Sequence, residues 1–87
     1  MNESRDLPCF FFDLTDGSGR HFDDVGTEFL DAERACAEAI ALVSSVAADT
    51  RLSMDGTHEL TATVRDEAGR PIYRAVLSVR GERISVQ

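Results

Sequence analysis

The chain has 87 residues, of which 43% are hydrophobic and 29% are charged, which is ordinary usage for one globular domain and argues against disorder. Nine basic and sixteen acidic residues give a net charge of −7. This charge repels phosphate backbones and anionic lipid surfaces, so we expect neither a nucleic acid nor a membrane to be the partner.

The first eight residues are polar and lack the basic start and apolar run of a secretory signal. We expect residues 1–8 to be a flexible tail and residues 9–87 to be a single α+β domain. Cys9 and Cys36 match no metal-ligand or disulfide spacing and are predicted to be free thiols. No stretch approaches the ~20 apolar residues of a membrane helix. These features favour a cytoplasmic protein.

The first predicted element is a β-hairpin. Cys9–Leu14 contains three consecutive phenylalanines and ends at Thr15–Gly19, a run with strong turn preferences. Arg20–Asp23 is the predicted return strand at an edge of the sheet, and Asp24–Gly26 takes the chain away from it.

A long helix follows the hairpin. Ala32–Asp49 contains no Gly or Pro, and its apolar side chains recur at helical spacing. Asp31 is the predicted N-cap, because its carboxylate can accept hydrogen bonds from the free amides of the first turn. The small alanines on the buried side would let the helix lie close to a sheet, with Phe and Leu from the strands filling the core.

The C-terminal half is predicted to be a second hairpin. His58–Arg65 alternates apolar and polar residues at the period of a half-buried strand, and Pro71–Arg80 does so after a turn that ends at Gly69. The helix is about 27 Å long, enough to return the chain across the sheet. The sequence thus predicts an α+β fold, ββαββ, with a four-stranded antiparallel sheet of order 2-1-3-4 and one helix on one face.

The uncovered face of this sheet is the predicted functional site. Strand alternation places the following residues on it: Phe11, Arg65, Ile72, Arg74 and Val76. The three apolar ones form a patch of the kind that monomers tend to cover, and the two arginines can meet acids at its rim. We therefore predict a domain that forms a homodimer or binds a protein partner. The competing interpretation is that these are strand-forming residues left half exposed.

Two other uses of such a fold come from different classes of function. Single-stranded nucleic acid stacks on exposed aromatic side chains of open sheets, but Phe11 is the single aromatic residue predicted there and the net charge opposes binding. An antitoxin-like regulatory domain that dimerises and binds a toxin shares this kind of architecture. Architecture alone does not determine function.

An acidic cluster is the remaining candidate site, because carboxylates can bind Mg²⁺ or Ca²⁺. Its members are Asp13, Asp16, Asp23, Asp24 and Glu28, with His21 close by in sequence. The spacing does not match a calcium-binding loop, and roles in turns and at strand ends account for each acid. Neither His21 nor His58 forms a recognisable catalytic motif with a cysteine. We predict no catalytic residue, no metal and no cofactor, and hence no enzyme.

Three segments of the chain resemble one family. They are Pro8–Gly17, Asp23–Phe29 with the alanines at 32, 35 and 39, and Arg65–Ile72. Together they resemble a bacterial domain-of-unknown-function family with an aromatic-Phe-Phe-Asp opening followed by Asp-Gly. The resemblance spans about residues 8–80 and agrees with the predicted fold. It implies no substrate, catalytic residue or partner.

Overall fold

A computed structural model describes residues 7–16 and 19–85. These residues form, in chain order, β1 (Cys9–Asp16), β2 (Gly19–His21), β3 (Thr27–Glu28), α1 (Ala32–Asp49), β4 (Gly56–Arg65) and β5 (Pro71–Gly81). The predictions made for residues 1–6, for the centre of the first turn at residues 17–18, and for the last two residues of the predicted domain, 86–87, lie outside the described residues. Within the described part of the chain, no helix is long and apolar enough to cross a bilayer.

The strands form one antiparallel sheet, and α1 packs on one of its faces. The strand order is β2-β1-β4-β5, and β3 pairs with β1 off this path. The predicted α+β class, with one helix and an antiparallel sheet, is confirmed. The predicted ββαββ pattern and strand order 2-1-3-4 are wrong in detail, because β3 adds a strand between the first hairpin and the helix and pairs with β1 off the main path.

The missed strand is very short. In β3, Glu28 pairs with Cys9 and Thr27 pairs with Phe10. Two residues are too few to show a period in the sequence. The preceding strand also ends at His21, two residues earlier than expected, because Asp23 bonds to β1 through its carboxylate instead of through a backbone ladder.

The helix has the predicted bounds and the predicted N-cap. Asp31 lies in extended backbone, and its Oδ1 accepts a hydrogen bond from the Arg34 amide at 2.9 Å. Ala35, Ala39 and Val43 form the buried stripe of the helix, and the two alanines are fully buried. Because these side chains are small, the helix axis lies close to the sheet, mainly over β4 and β5.

Large side chains from the strands fill the core, as predicted. Phe10 and Phe12 of β1 and Leu60 and Val64 of β4 are buried beneath α1. Phe29 meets both phenylalanine rings edge-on, with centroids 6.2 Å from Phe10 and 5.7 Å from Phe12. Such aromatic pairs contribute about 0.5–1.5 kcal/mol each beyond their burial. Phe29 therefore fixes the path by which the chain passes from β3 to the helix side of the sheet.

Candidate functional site

The face of the sheet opposite α1 has an exposed part and a covered part. On the exposed part, β5 presents Ile72, Arg74 and Val76, which we call the β5 patch. Ile72 is 41% exposed and Val76 is 52% exposed. Beside them on β4, Thr63 lies opposite Arg74 and Thr61 lies opposite Val76. On the covered part, the chain's own loop lies against β1.

An ion pair joins β1 to β4 at the covered end. Arg65 Nε donates to Asp13 Oδ2 at 2.7 Å, and Arg65 Nη2 donates to Asp13 Oδ1 at 3.1 Å. The guanidinium also lies over the Phe11 ring, 5.1 Å from the ring centroid. Asp13 is only 7% exposed. A bidentate, charge-assisted pair that is largely shielded from water is among the stronger polar contacts a protein makes.

Asp23 extends this pair and fills a gap at the edge of the sheet. β2 pairs with the last three residues of β1 and β3 pairs with its first two, which leaves residues 11–13 between them. The Phe12 amide donates to Asp23 Oδ2 at 3.0 Å. The Asp23 amide donates to Asp13 Oδ1 at 3.0 Å, and Arg65 Nη2 donates to the Asp23 carbonyl at 2.8 Å. The Asp13–Arg65–Asp23 network therefore ties β1, β4 and the loop together.

The loop after Asp23 packs on the Phe11 end of the open face. Asp23 Oδ1 accepts hydrogen bonds from the amides of Val25 and Gly26, both at 3.0 Å. Gly26 has a φ of +82°, and a Cβ there would lie 2.5 Å from Cys9 Sγ and 2.8 Å from Phe11 Cε2. The loop thus needs glycine both for its backbone conformation and for its close approach to β1.

Both carboxylates of the network favour the ionised form. The hydrogen bond from Arg65 is the main cause that lowers the pKa of Asp13, against an opposing effect of burial. For Asp23, burial is the largest single effect and raises the pKa, but the amide hydrogen bonds and the charge of Arg65 together outweigh it and lower the pKa. These amides belong to Phe12, Gly26 and Val25. Two acids considered as metal ligands thus already have protein donors on their oxygens.

The structure separates the five residues predicted to form the interaction site. Ile72, Arg74 and Val76 lie together on β5 with exposed side chains. Phe11 and Arg65 lie at the covered end, where the ring is half-buried and the guanidinium bonds to Asp13 and Asp23. Arg65 pairs with Pro71 in the β4–β5 ladder, so the covered and exposed parts adjoin.

Sequence reasoning missed the roles of Asp23 and Gly26. The spacing Asp-x-x-Gly is a signal for a turn capped by a carboxylate, and that signal is present at residues 23–26. The hydrogen bond between the Asp23 carboxylate and β1 has no signal in the local sequence, because the Phe12 amide lies eleven residues earlier in the chain.

Cysteine and histidine side chains are the other groups with catalytic potential. Cys9 and Cys36 are free thiols, and burial raises the pKa of the Cys36 thiol, which disfavours the reactive thiolate. His58 lines a groove of about 670 Å³ beside the loop that follows α1, and its buried Nε2 has no hydrogen-bond partner among the described residues. Within those residues, no group of three or more His, Cys, Asp or Glu is placed to hold a metal ion.

Replacing Gly26 by Ala tests the close approach of the loop. We expect Gly26→Ala to lower the free energy of unfolding by roughly 3 kcal/mol, because a positive φ costs an L-residue about 1–2 kcal/mol and overpacking adds a further ~1–3 kcal/mol. Urea denaturation measures the loss. Gly69→Ala is the matched control, since Gly69 has a φ of +85° with nothing within 4 Å of the added Cβ. Equal losses in both variants would contradict packing of the loop on β1.

Removing the charge of Asp13 tests the network. We expect Asp13→Asn to lower the free energy of unfolding by about 3 kcal/mol, because Arg65 then loses its bidentate carboxylate partner and keeps only the charge of Asp23 nearby. The Arg65 side chain is 25% exposed, which places the loss at the low end for buried pairs. Asp24→Asn, an exposed change beside the network, should cost less than ~0.5 kcal/mol. Equal denaturation midpoints for the two variants would exclude a stabilising network.

The network also predicts how stability depends on pH. The pKa values of Asp13 and Asp23 in the folded state lie below the ordinary 3.8. Their contribution is therefore complete above the unfolded-state pKa and is lost as pH falls through the folded-state values. We expect the free energy of unfolding to decrease from about pH 5 downwards, and to decrease less steeply in Asp13→Asn. Urea denaturation midpoints of the wild type and Asp13→Asn, measured from about pH 5 downwards, check this expectation. Midpoints that fall in parallel in the two proteins would contradict it.

Comparison with known proteins identifies the family. The family model described as domain of unknown function (DUF6894) matches residues 9–78. No curated protein and no solved structure matches the chain. The matched segment runs from the first residue of β1 into β5, and so contains both the Asp13–Arg65–Asp23 network and the β5 patch. The chain therefore belongs to DUF6894, a family whose function is unknown.

Proposed function

We propose that this chain is a non-enzymatic protein-interaction domain that self-associates through its open sheet face, with the β5 patch at the contact. The proposal is carried by the exposure of Ile72 and Val76, at 41% and 52%, on either side of exposed Arg74. Apolar side chains around an arginine are typical of interface centres, where Arg is enriched and other charged residues are depleted.

The charges on this face support a second copy as the occupant. Glu59 of β4 lies on the open face opposite Ser78, whose hydroxyl donates to Glu59 Oε2 at 3.5 Å. Arg74 and Arg80 of β5 share that face by strand alternation. A twofold interface brings the same surface of two copies together, so that surface must be self-complementary. A face that carries both Glu59 and the two arginines is self-complementary in charge. A different protein with acids around an apolar patch is the alternative occupant.

The hydrogen bonds that occupy two of the acids and the raised pKa of one thiol support binding in preference to catalysis. Asp13 and Asp23 bond to Arg65 and to backbone amides, and burial raises the pKa of Cys36. We also propose a reducing, cytoplasmic location, in which the free thiols of Cys9 and Cys36 persist. The proposal requires no metal, cofactor or nucleic acid.

The test is the mass of the protein in solution. At about 100 μM, a dissociation constant of ~10 μM gives mainly dimer. Sedimentation equilibrium of the wild type should then approach twice the monomer mass of 9.5 kDa. Val76→Asp should raise the dissociation constant at least about tenfold, because it places a carboxylate in the apolar part of the contact.

Val25→Asp provides the matched control. It introduces the same change at a side chain that is 81% exposed on the loop, outside the β5 patch, and should leave the dissociation constant unchanged. A wild type that sediments as a 9.5 kDa monomer would refute self-association. Equal weakening by both variants would refute the role of the β5 patch.

A further inference from the structure

We infer that the second copy binds edge to edge along β5, so that one antiparallel sheet continues from one protomer into the other. This inference rests on the proposed self-association and places the contact at the β5 edge, so that the β5 patch meets its own copy and the β4 part of the open face stays outside the contact. On the open face of β5, Ile72 and Val76 are exposed. On the face that carries α1, Tyr73 and Val79 are also exposed, at 36% and 38%. A partner stacked on the open face would leave Tyr73 and Val79 in water, whereas a partner along the edge reaches all four side chains.

The two edges of the sheet are built differently. On the β1 side, the edge consists of one strand of three residues and one of two, and the Asp23 carboxylate fills the gap between them. Short strands and covered backbone groups are devices that prevent an edge from pairing with another chain. The edge beside β1 is therefore poorly suited to receive a second copy.

The opposite edge lacks these devices. β5 has eleven residues, and within the described part of the chain it pairs with β4 alone. Its edge-protecting features are few: it carries Arg74 and Arg80, its register shifts between Tyr73 and Pro71, and Pro71 stands at the first position, where it does not interrupt a ladder. A long strand of this kind presents a row of amide and carbonyl groups that another strand can pair with.

The length of β5 indicates the register. A twofold axis pairs every residue of Pro71–Gly81 only if it passes beside Val76, the middle residue of the strand. Val76 then lies opposite its own copy, and Tyr73 lies opposite Val79 of the other protomer. Aromatic and β-branched pairs of this kind are favourable across antiparallel strands.

The charges of β5 and its flanks agree with this register. With the axis at Val76, Arg70 faces Glu82 of the second protomer just beyond the strand ends. Moving the axis by one residue, to Leu77, would set Arg74 opposite Arg80. Moving it by one residue the other way would set Arg80 opposite Arg70. Like charges directly opposite each other destabilise a strand pair. The twofold relation also places both helices on the same face of the joined sheet.

A disulfide across the twofold axis tests the geometry. In a Cys9→Ala, Cys36→Ala background, Val76→Cys places two thiols on directly opposite residues. Their Cα atoms would be about 4.5–5.5 Å apart, within the range of roughly 4.4–6.8 Å that disulfides span. Mild oxidation should convert most of this variant to a covalent dimer on a non-reducing gel.

Ser78→Cys in the same background is the matched control. It lies on the same face of the same strand, but its two copies would be about 13 Å apart along the strands, so it should stay largely monomeric on the gel. A dimeric wild type with no cross-link at Val76, or with equal cross-linking at both positions, would overturn the edge geometry and leave self-association standing. A monomeric wild type would overturn both.

A charge reversal tests the register in a protein that keeps its native cysteines. Arg70→Glu alone should raise the dissociation constant about threefold to fivefold, because it faces Glu82 of the second protomer. Adding Glu82→Arg should restore the wild-type value to within about twofold, since opposite charges again face each other. A double variant that dimerises no better than Arg70→Glu would overturn the register.

Discussion

The Asp13–Arg65–Asp23 network is the interaction on which the arrangement of the sheet depends. Asp13 lies on the face away from the helix and is still only 7% exposed. A carboxylate in such a place is tolerated only when donors occupy its oxygens. Arg65 supplies two of the hydrogen bonds, and the Asp23 amide supplies a third. Since the same three residues connect β1, β4 and the loop before β3, the loss of any one leaves either a partly buried charge or an open sheet edge.

Because the loop covers the Phe11 end of the open face, only the rest of that face stays exposed. The loop at Gly26 lies against Phe11, so the aromatic ring on the open face is half-buried by the chain itself. Arg65 is also committed, through Asp13 and the Asp23 carbonyl. The part of this face that stays exposed is therefore the β5 side, where we propose the contact. There the apolar side chains are β-branched or aromatic, and they stand on both faces of one edge strand.

Local patterns predicted the elements, and non-local contacts account for what they missed. The Ala-rich run predicted α1 with the bounds the structure has, and alternation predicted β4 because half of its residues face the core. Phe11 was assigned to the correct face, but its burial comes from a loop whose path depends on Asp23 reaching Phe12. By strand alternation, Tyr73 and Val79 lie on the helix side of β5 with Ala75. A single helix lying mainly over β4 and β5 buries Ala75 and leaves Tyr73 and Val79 partly exposed, which no strand period reveals.

The charge distribution favours approach along β5 over other ways of bringing two copies together. Two chains of net charge −7 repel each other, but the charge is uneven along the sequence. Residues 65–87 carry five arginines and three acids, a balance of +2, whereas residues 1–64 carry four arginines and thirteen acids, a balance of −9. Edge pairing joins the two segments with the smaller net charge and places the first hairpins, with Asp13 and Asp16, at the far ends of the joined sheet. There they are separated by more than the screening length of about 8 Å at physiological salt. The smaller charge of the C-terminal segment and the long edge strand therefore both support the proposed edge geometry.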